Sequence, residues 1–288
     1  MRWRSFAVAA ASTVAIAQTA FAADLGQPVY AAPPPPLAPV YNWTGFYAGL
    51  NAGVGWSGND VNTAGWTLYT NTAHSDALVN ATASASGATA NVPVSTTSFI
   101  GGGQIGYNYQ IGTWVAGLEA DIAGLSPSSH ADTAQIITPI SGVGINTSLD
   151  TATRTLNYLG TVRARLGFLA TPALLLYGTG GLAYGDPGLT TDVYQIRTPR
   201  PFGNTPSGGA NSSGTQFGWT LGAGAEWMFL PNWSASIEYL HYDLGQISNG
   251  FAITHYNMRN VLIFVNAVPA KAQISGDLVR VGVSYHLN

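Results

Sequence analysis

The chain contains no cysteine, which excludes disulfides, free thiols and cysteine-ligated metals and leaves cohesion to the fold itself. Charge is nearly as scarce. Only 8% of the 288 residues are charged, against roughly 25% in soluble domains. A soluble surface so poor in charge would not stay dispersed, whereas a surface covered by lipid needs little. Ten basic residues stand against thirteen acidic ones with no basic run among them, so nothing can neutralise a phosphate backbone and nucleic acid is excluded as a partner. Signatures of the H-E-x-x-H, G-x-S-x-G and S-x-x-K kinds are missing as well. The five histidines, His74, His130, His241, His255 and His286, show no metal-ligand spacing. No enzyme, cofactor or metal site is expected.

What the chain does have is a period of two. Phe46, Ala48, Leu50, Ala52, Val54 and Trp56 form one face of a strand, and Tyr47, Gly49, Asn51, Gly53 and Gly55 the other. An apolar stripe backed by a small or polar one suits a wall between lipid and a wet lumen, as in the outer membrane of a Gram-negative cell. Eight segments have this pattern and the roughly 9 to 11 residues a tilted membrane strand needs: 45–56, 99–111, 114–125, 155–168, 174–184, 216–228, 233–244 and 278–287. Long connections at 57–98, 126–154, 185–215 and 245–277 alternate with short ones at 112–113, 169–172 and 229–232. That alternation places both ends of an up-and-down barrel on the periplasmic side. The expected fold is therefore all-β, a monomeric eight-stranded antiparallel up-and-down transmembrane β-barrel over 43–288.

The long connections are rich in Thr, Ser, Asn, Ala and Gly and read as irregular surface segments, with no regular structure expected over 81–90. The run 261–265 is the exception, reading as an extension of a strand pair above the membrane. Residues 1–22 carry Arg2 and Arg4, a short apolar stretch and the Ala20-Phe21-Ala22 motif, the pattern of a secretory signal peptide cleaved near Ala22. The Pro-rich 23–42 that follows reads as an extended periplasmic spacer, either a plain linker or a tether towards peptidoglycan.

Aromatic residues gather at the expected strand ends: Phe46, Tyr109, Trp114, Phe168, Trp227, Trp233 and Tyr285 at the inner interface, Trp56, Phe99, Tyr184 and Trp219 at the outer one. Amphipathic rings prefer both interfaces, which gives two girdles. By the alternation, Glu119, Asp121, Arg163, Arg165, Glu226, Glu238 and Arg280 point inward, and their outward neighbours are uncharged. Arg or Lys on the lipid face near the midplane would cost roughly 2–4 kcal/mol. The interior of an eight-stranded barrel is just wide enough for side chains to fill it. These charges therefore read either as an ion-pair plug or as the lining of a narrow polar path that sets its selectivity.

Other motifs carry less. Two G-x-G-x-x-G matches, 53–58 and 101–106, are expected by chance among 35 glycines, and neither opens a helix in a βαβ unit. Glu119 and Asp121, two apart, read as salt-bridge partners in preference to an acid–base pair. A lipid hydrolase would need His and Ser together on the outer rim, where His241 is a candidate with no matching serine.

The run Tyr41-Asn42-Trp43-Thr44-Gly45-Phe46-Tyr47-Ala48-Gly49 followed by Asn51-Ala52-Gly53, with Glu238-Tyr239-Leu240, Asp243-Leu244-Gly245 and the closing Val279-Arg280-Val281-Gly282-Val283-Ser284-Tyr285, resembles the alphaproteobacterial outer-membrane immunogenic protein family. Tyr177-Gly178-Thr179-Gly180-Gly181-Leu182-Ala183-Tyr184-Gly185 is similar to a strand of that family too. These are small, opacity-like, porin-family barrels. The resemblance implies an eight-stranded outer-membrane barrel that supports the envelope and is exposed at the surface, with pore activity as the alternative and no catalytic residues to carry over. It also implies lipid and lipopolysaccharide as neighbours and the barrel-assembly machinery as a partner during insertion; a rival reading is an adhesin or ligand-binding surface formed by the four long connections, its ligand unspecified. Family members usually end on an aromatic assembly signal, whereas Leu287 and Asn288 close this chain, implying weaker recognition by that machinery.

Overall fold

The computed structural model describes residues 41–126, 130–140, 144–198 and 205–287. The expected signal peptide, all but the last two residues of the expected spacer, and Asn288 lie outside them. In chain order the elements are β1 (Gly45–Thr63), β2 (Trp66–Thr70), α1 (Ala77–Gly87), β3 (Asn91–Ile111), β4 (Trp114–Leu125), β5 (His130–Ile140), β6 (Gly144–Thr171), β7 (Leu174–Thr198), β8 (Ser207–Ser213), β9 (Gln216–Leu230), β10 (Trp233–Tyr256) and β11 (Leu262–Leu287).

All eleven strands belong to one antiparallel sheet ordered β5-β6-β4-β3-β1-β11-β10-β9-β7-β8, with β2 on β11. A further ladder between β6 and β7 joins the two arms of this order into a ring. The three strands beyond the eight expected segments, β2, β5 and β8, all lie within the long connections. At one end of the ring the turns are tight, at 112–113, 172–173 and 231–232. Gly112 takes φ +62 there, where a side chain would be strained.

Above the other end the strands continue well past their expected limits, so most of what reads as loop is strand. The cause is an inversion of the alternation. Between the tight turns and Trp56, outward residues such as Leu50 and Val54 are apolar and exposed. Farther along, β3 turns Val92 and Val94 inward and Ser95 and Thr97 outward, and β11 buries Ala270, Ala272 and Ile274 while exposing Lys271. That is the ordinary pattern of a sheet facing water, and a search for an outward apolar stripe stops where it begins.

The expectation of no regular structure over 81–90 is also corrected. Alanine is the strongest helix former and the smallest side chain that still favours a helix. Ala77, Ala81, Ala83 and Ala85 accordingly build α1, whose buried residues include all four together with Asn80, Ser84 and Gly87. Ser84 Oγ donates to Gln195 Oε1 at 2.6 Å, and the Ala81 carbonyl accepts from Asn266 Nδ2 at 3.0 Å, so β7 and β11 hold the helix between them. The segment 261–265 falls largely in β11, in keeping with its reading as a strand extension.

The buried residues form layers. Near the tight turns Trp43, Val115, Leu169, Leu175, Tyr177 and Met228 pack together. Beyond Trp56 the larger apolar group includes Ile100, Leu159, Leu240, Tyr242, Ile274 and Leu278. Between the two lies a layer of charge. The interior is thus polar only in part, a correction to the expectation of a lumen largely filled by polar and charged side chains.

Candidate functional site

All seven of the inward charges are at most 6% exposed: Glu119 and Asp121 on β4, Arg163 and Arg165 on β6, Glu226 on β9, Glu238 on β10 and Arg280 on β11. Register brings the first contacts about. Glu119 stands opposite Arg163 across the β4–β6 ladder, and Glu238 opposite Arg280 across β10–β11. Others reach across the interior, from β6 to β10 and from β11 to β4. Arg163 Nη1 donates to Glu238 Oε1 at 2.8 Å, and its Nη2 donates to Asp121 Oδ2 at 2.9 Å and to Glu119. Arg280 Nε donates to Glu238 Oε2 at 2.7 Å, and its Nη1 lies 3.1 Å from Asp121 Oδ1. Arg165 Nη2 donates to Glu226 Oε2 at 2.6 Å. Every guanidinium thus has at least two carboxylates in reach, as a charge withdrawn from water requires.

Neutral groups occupy the remaining lone pairs, and the sequence reading missed them. Tyr47 Oη donates to Glu119 Oε2 at 2.6 Å and accepts from Arg165 Nη1 at 2.9 Å. Thr161 and Ser234 donate to Asp121 and Glu226 at 2.6 and 2.7 Å, and His286 Nε2 lies 3.3 Å from Glu226. The Tyr177 ring stacks on Arg165, 4.0 Å from the centroid. Of these, the alternation places only Tyr47, on the face away from the apolar stripe.

Glycines make room for the layer. Gly181 stands across the ladder from Arg163, Gly117 from Arg165, and Gly53 from Arg280. A Cβ on Gly181 would fall 2.7 Å from the Arg163 Cα, closer than packed carbons tolerate. Gly181→Val is expected to cost about 1–3 kcal/mol by overpacking, measured as a lowered urea midpoint in lipid vesicles, while Gly58→Val, with nothing within 4 Å of its Cβ, is expected to leave it unchanged.

The aromatic residues named above lie on the outward face. Phe46, Tyr109, Trp114, Phe168, Trp227, Trp233 and Tyr285 are 41–63% exposed near the tight turns, with Trp114 on Phe168 and Trp233 on Tyr285 at centroid distances of 5.8 and 5.1 Å. Trp56, Phe99 and Trp219 are exposed at the level where the alternation inverts, and Tyr184 is half-buried there between Tyr158 and Phe217. His241 shares this rim. Its Nδ1 lies 2.9 Å from Asp277 Oδ1, which also accepts from Tyr239 Oη at 2.6 Å, and its ring meets Trp219; no serine hydroxyl bonds it among the described residues. The two glycine motifs sit within β1 and β3, not at the start of a helix.

Far above the charge layer, Asp150 on β6 is 1% exposed, and neither carboxylate oxygen has a partner. Burial pushes its pKa up to about 7. The folded state thus holds the proton more tightly than the unfolded chain, where aspartate titrates near about 3.9. Stability should fall as pH rises from about 4 towards about 7 and level off above, since the unfolded state binds fewer protons over that window. Asp150→Asn is expected to flatten this slope, read from urea midpoints of parent and variant at pH 4 to 8.

Residues 6–286 match the outer membrane protein beta-barrel domain. The 31 kDa outer-membrane immunogenic protein of Brucella melitensis biotype 1 is 33% identical over 257 residues, covering 87% of this chain and 93% of the relative. The 25 kDa outer-membrane immunogenic protein of Brucella abortus biovar 1 is 25% identical over 98% of this chain and 97% of its own length. A 22 kDa outer membrane protein of Rhizobium leguminosarum bv. viciae is 32% identical over 52% of this chain and 60% of its own. With the ring of strands, the outward apolar belt and the buried charge layer, these likenesses establish that the chain belongs to the outer-membrane β-barrel family of alphaproteobacterial immunogenic proteins, located in the Gram-negative outer membrane.

Proposed function

We propose that β1, β3, β4, β6, β7, β9, β10 and β11 form a closed eight-stranded transmembrane barrel whose lumen is sealed, and that the protein serves the envelope as a structural, surface-exposed element without catalytic activity. The ladders supporting this order return from β7 to β6. One observation carries the sealed reading: four carboxylates and three guanidiniums, all buried, are linked across the interior from five strands. Each of these groups has an opposite charge in contact, so none is free to take up a passing ion in place of its partner, and the excess of one carboxylate is met by neutral donors such as Tyr47, Thr161 and Ser234. The exposed rings at the two levels serve as interfacial girdles. The same proposal includes a signal peptide removed near Ala22, a periplasmic spacer over 23–42, insertion by the barrel-assembly machinery, lipid and lipopolysaccharide around the belt, and a monomeric state.

Planar-bilayer recording tests it. The protein is expected to give no stable conductance steps. Reproducible steps that change when Arg163 or Glu119 is neutralised would replace the sealed barrel with a narrow channel.

A further inference from the structure

Arg154 breaks the rule that the other lumen arginines obey. It lies on the inward face of β6, 5% exposed, and forms no ion pair among the described residues. Its Nη1 donates to the Gln273 carbonyl at 2.9 Å, and its Nη2 donates to Ser57 Oγ and the Val94 carbonyl at 2.9 and 3.2 Å. Its Nε has no partner. Asp150 is on the same strand face but four residues away, about 13 Å at the rise of a strand, too far to neutralise it. Asp60 acts on it only from a distance, without an ion pair, and a buried cation contacted only by neutral oxygens is costly unless something else supplies an anion in contact.

The space beside it is suited to supply one. Arg154 lines a partly open pocket of about 50 Å³ whose open side continues into wider space. The walls are otherwise largely hydrocarbon, from Ile100, Leu125, Leu159, Ile274 and Leu278. It reaches the wall where β4 ends at Leu125 and β6 bulges between Leu156 and Leu159, with Asn157 exposed beside it. That opening stands level with Trp56 and Phe99, at the edge of the outward apolar belt.

We propose that this pocket is a binding site for an amphipathic carboxylate, a fatty-acid-like anion whose head meets Arg154 and whose alkyl chain runs out along the aliphatic walls through the open side. The two N–H groups left over at the guanidinium, on Nε and Nη1, match the two oxygens of a small singly charged carboxylate, whereas a phosphate carries more acceptor oxygens than the site has free donors. Apolar walls with a single oriented charge are the usual composition of such sites. This goes beyond the structural role, and it stands whether or not the layer of paired charges beneath the cavity seals the lumen.

The test uses the full-length protein in lipid nanodiscs and two photoreactive probes, a diazirine-bearing decanoate and the matching decanol, with the labelled residues mapped by mass spectrometry. Decanoate is expected to label cavity residues such as Leu159 and Ile274 roughly tenfold more than decanol, the size of effect a charge-assisted contact gives. Arg154→Gln should abolish the difference. Ile274→Phe, which keeps the arginine and fills the cavity, should abolish cavity labelling by both probes, and it serves as the decisive variant if Arg154→Gln does not fold. Equal labelling by the two probes in the parent protein, or decanoate labelling confined to lipid-facing residues, would overturn the proposal.

Discussion

Replacing Arg163 by methionine is expected to lower stability by about 3–5 kcal/mol, the cost of breaking a buried ion pair by removing one partner. Arg163 donates to Glu119, Asp121 and Glu238, and none of these can turn towards water. Urea unfolding followed by tryptophan fluorescence in vesicles measures the loss. Two companion variants identify its origin. Arg163→Lys keeps the charge but offers a compact ammonium where a planar fork now spans three carboxylates, so an intermediate loss is expected. Adding Glu119→Gln to Arg163→Met removes one uncompensated charge and should recover part of the stability. If the double variant were weaker than the sum of the two single ones, the layer would contribute shape and packing more than charge balance.

Much of this arrangement can be read from the residues. The period of two around Glu119, Arg163 and Arg280 assigns each side chain to a face, and the face settles burial. What parity does not provide is which inward side chains meet, since the stagger of each ladder around the ring decides that. Tyr47 shows the gap: its inward position followed from the alternation, but its place between Glu119 and Arg165 depends on the register of β1 on β3 and β4 on β6. The upper strands were missed for a different physical reason. Over 262–277 most of the buried residues are apolar, Asn266 excepted, and Lys271 is exposed, so the stripe that defines a membrane strand reverses sign while the strand itself continues. Helix α1 was obscured by composition, because alanine and serine serve equally in loops, and only the enclosure between β7 and β11 gives the small residues something to pack on.

Trp43 belongs to the same lesson and to the other large expected effect. It precedes β1, is fully buried and packs with Val115, Leu169, Leu175, Tyr177 and Met228, its Nε1 donating to the Pro172 carbonyl at 3.0 Å. Its ring also meets His286 edge-on at 5.8 Å, so it lies just beneath the charge layer at the tight-turn end. Trp43→Ala is expected to cost about 3–5 kcal/mol for the lost packing and the cavity left behind. Trp43→Phe should cost less, since most of the ring is retained and a single hydrogen bond contributes about 1 kcal/mol. The two large-effect variants together locate the seal. With the charges intact, Trp43→Ala should lose stability and remain non-conducting in a planar bilayer. Were it to conduct while Arg163→Met stayed silent, the indole would be the stopper, and the ion pairs above it would hold the wall in shape without closing it.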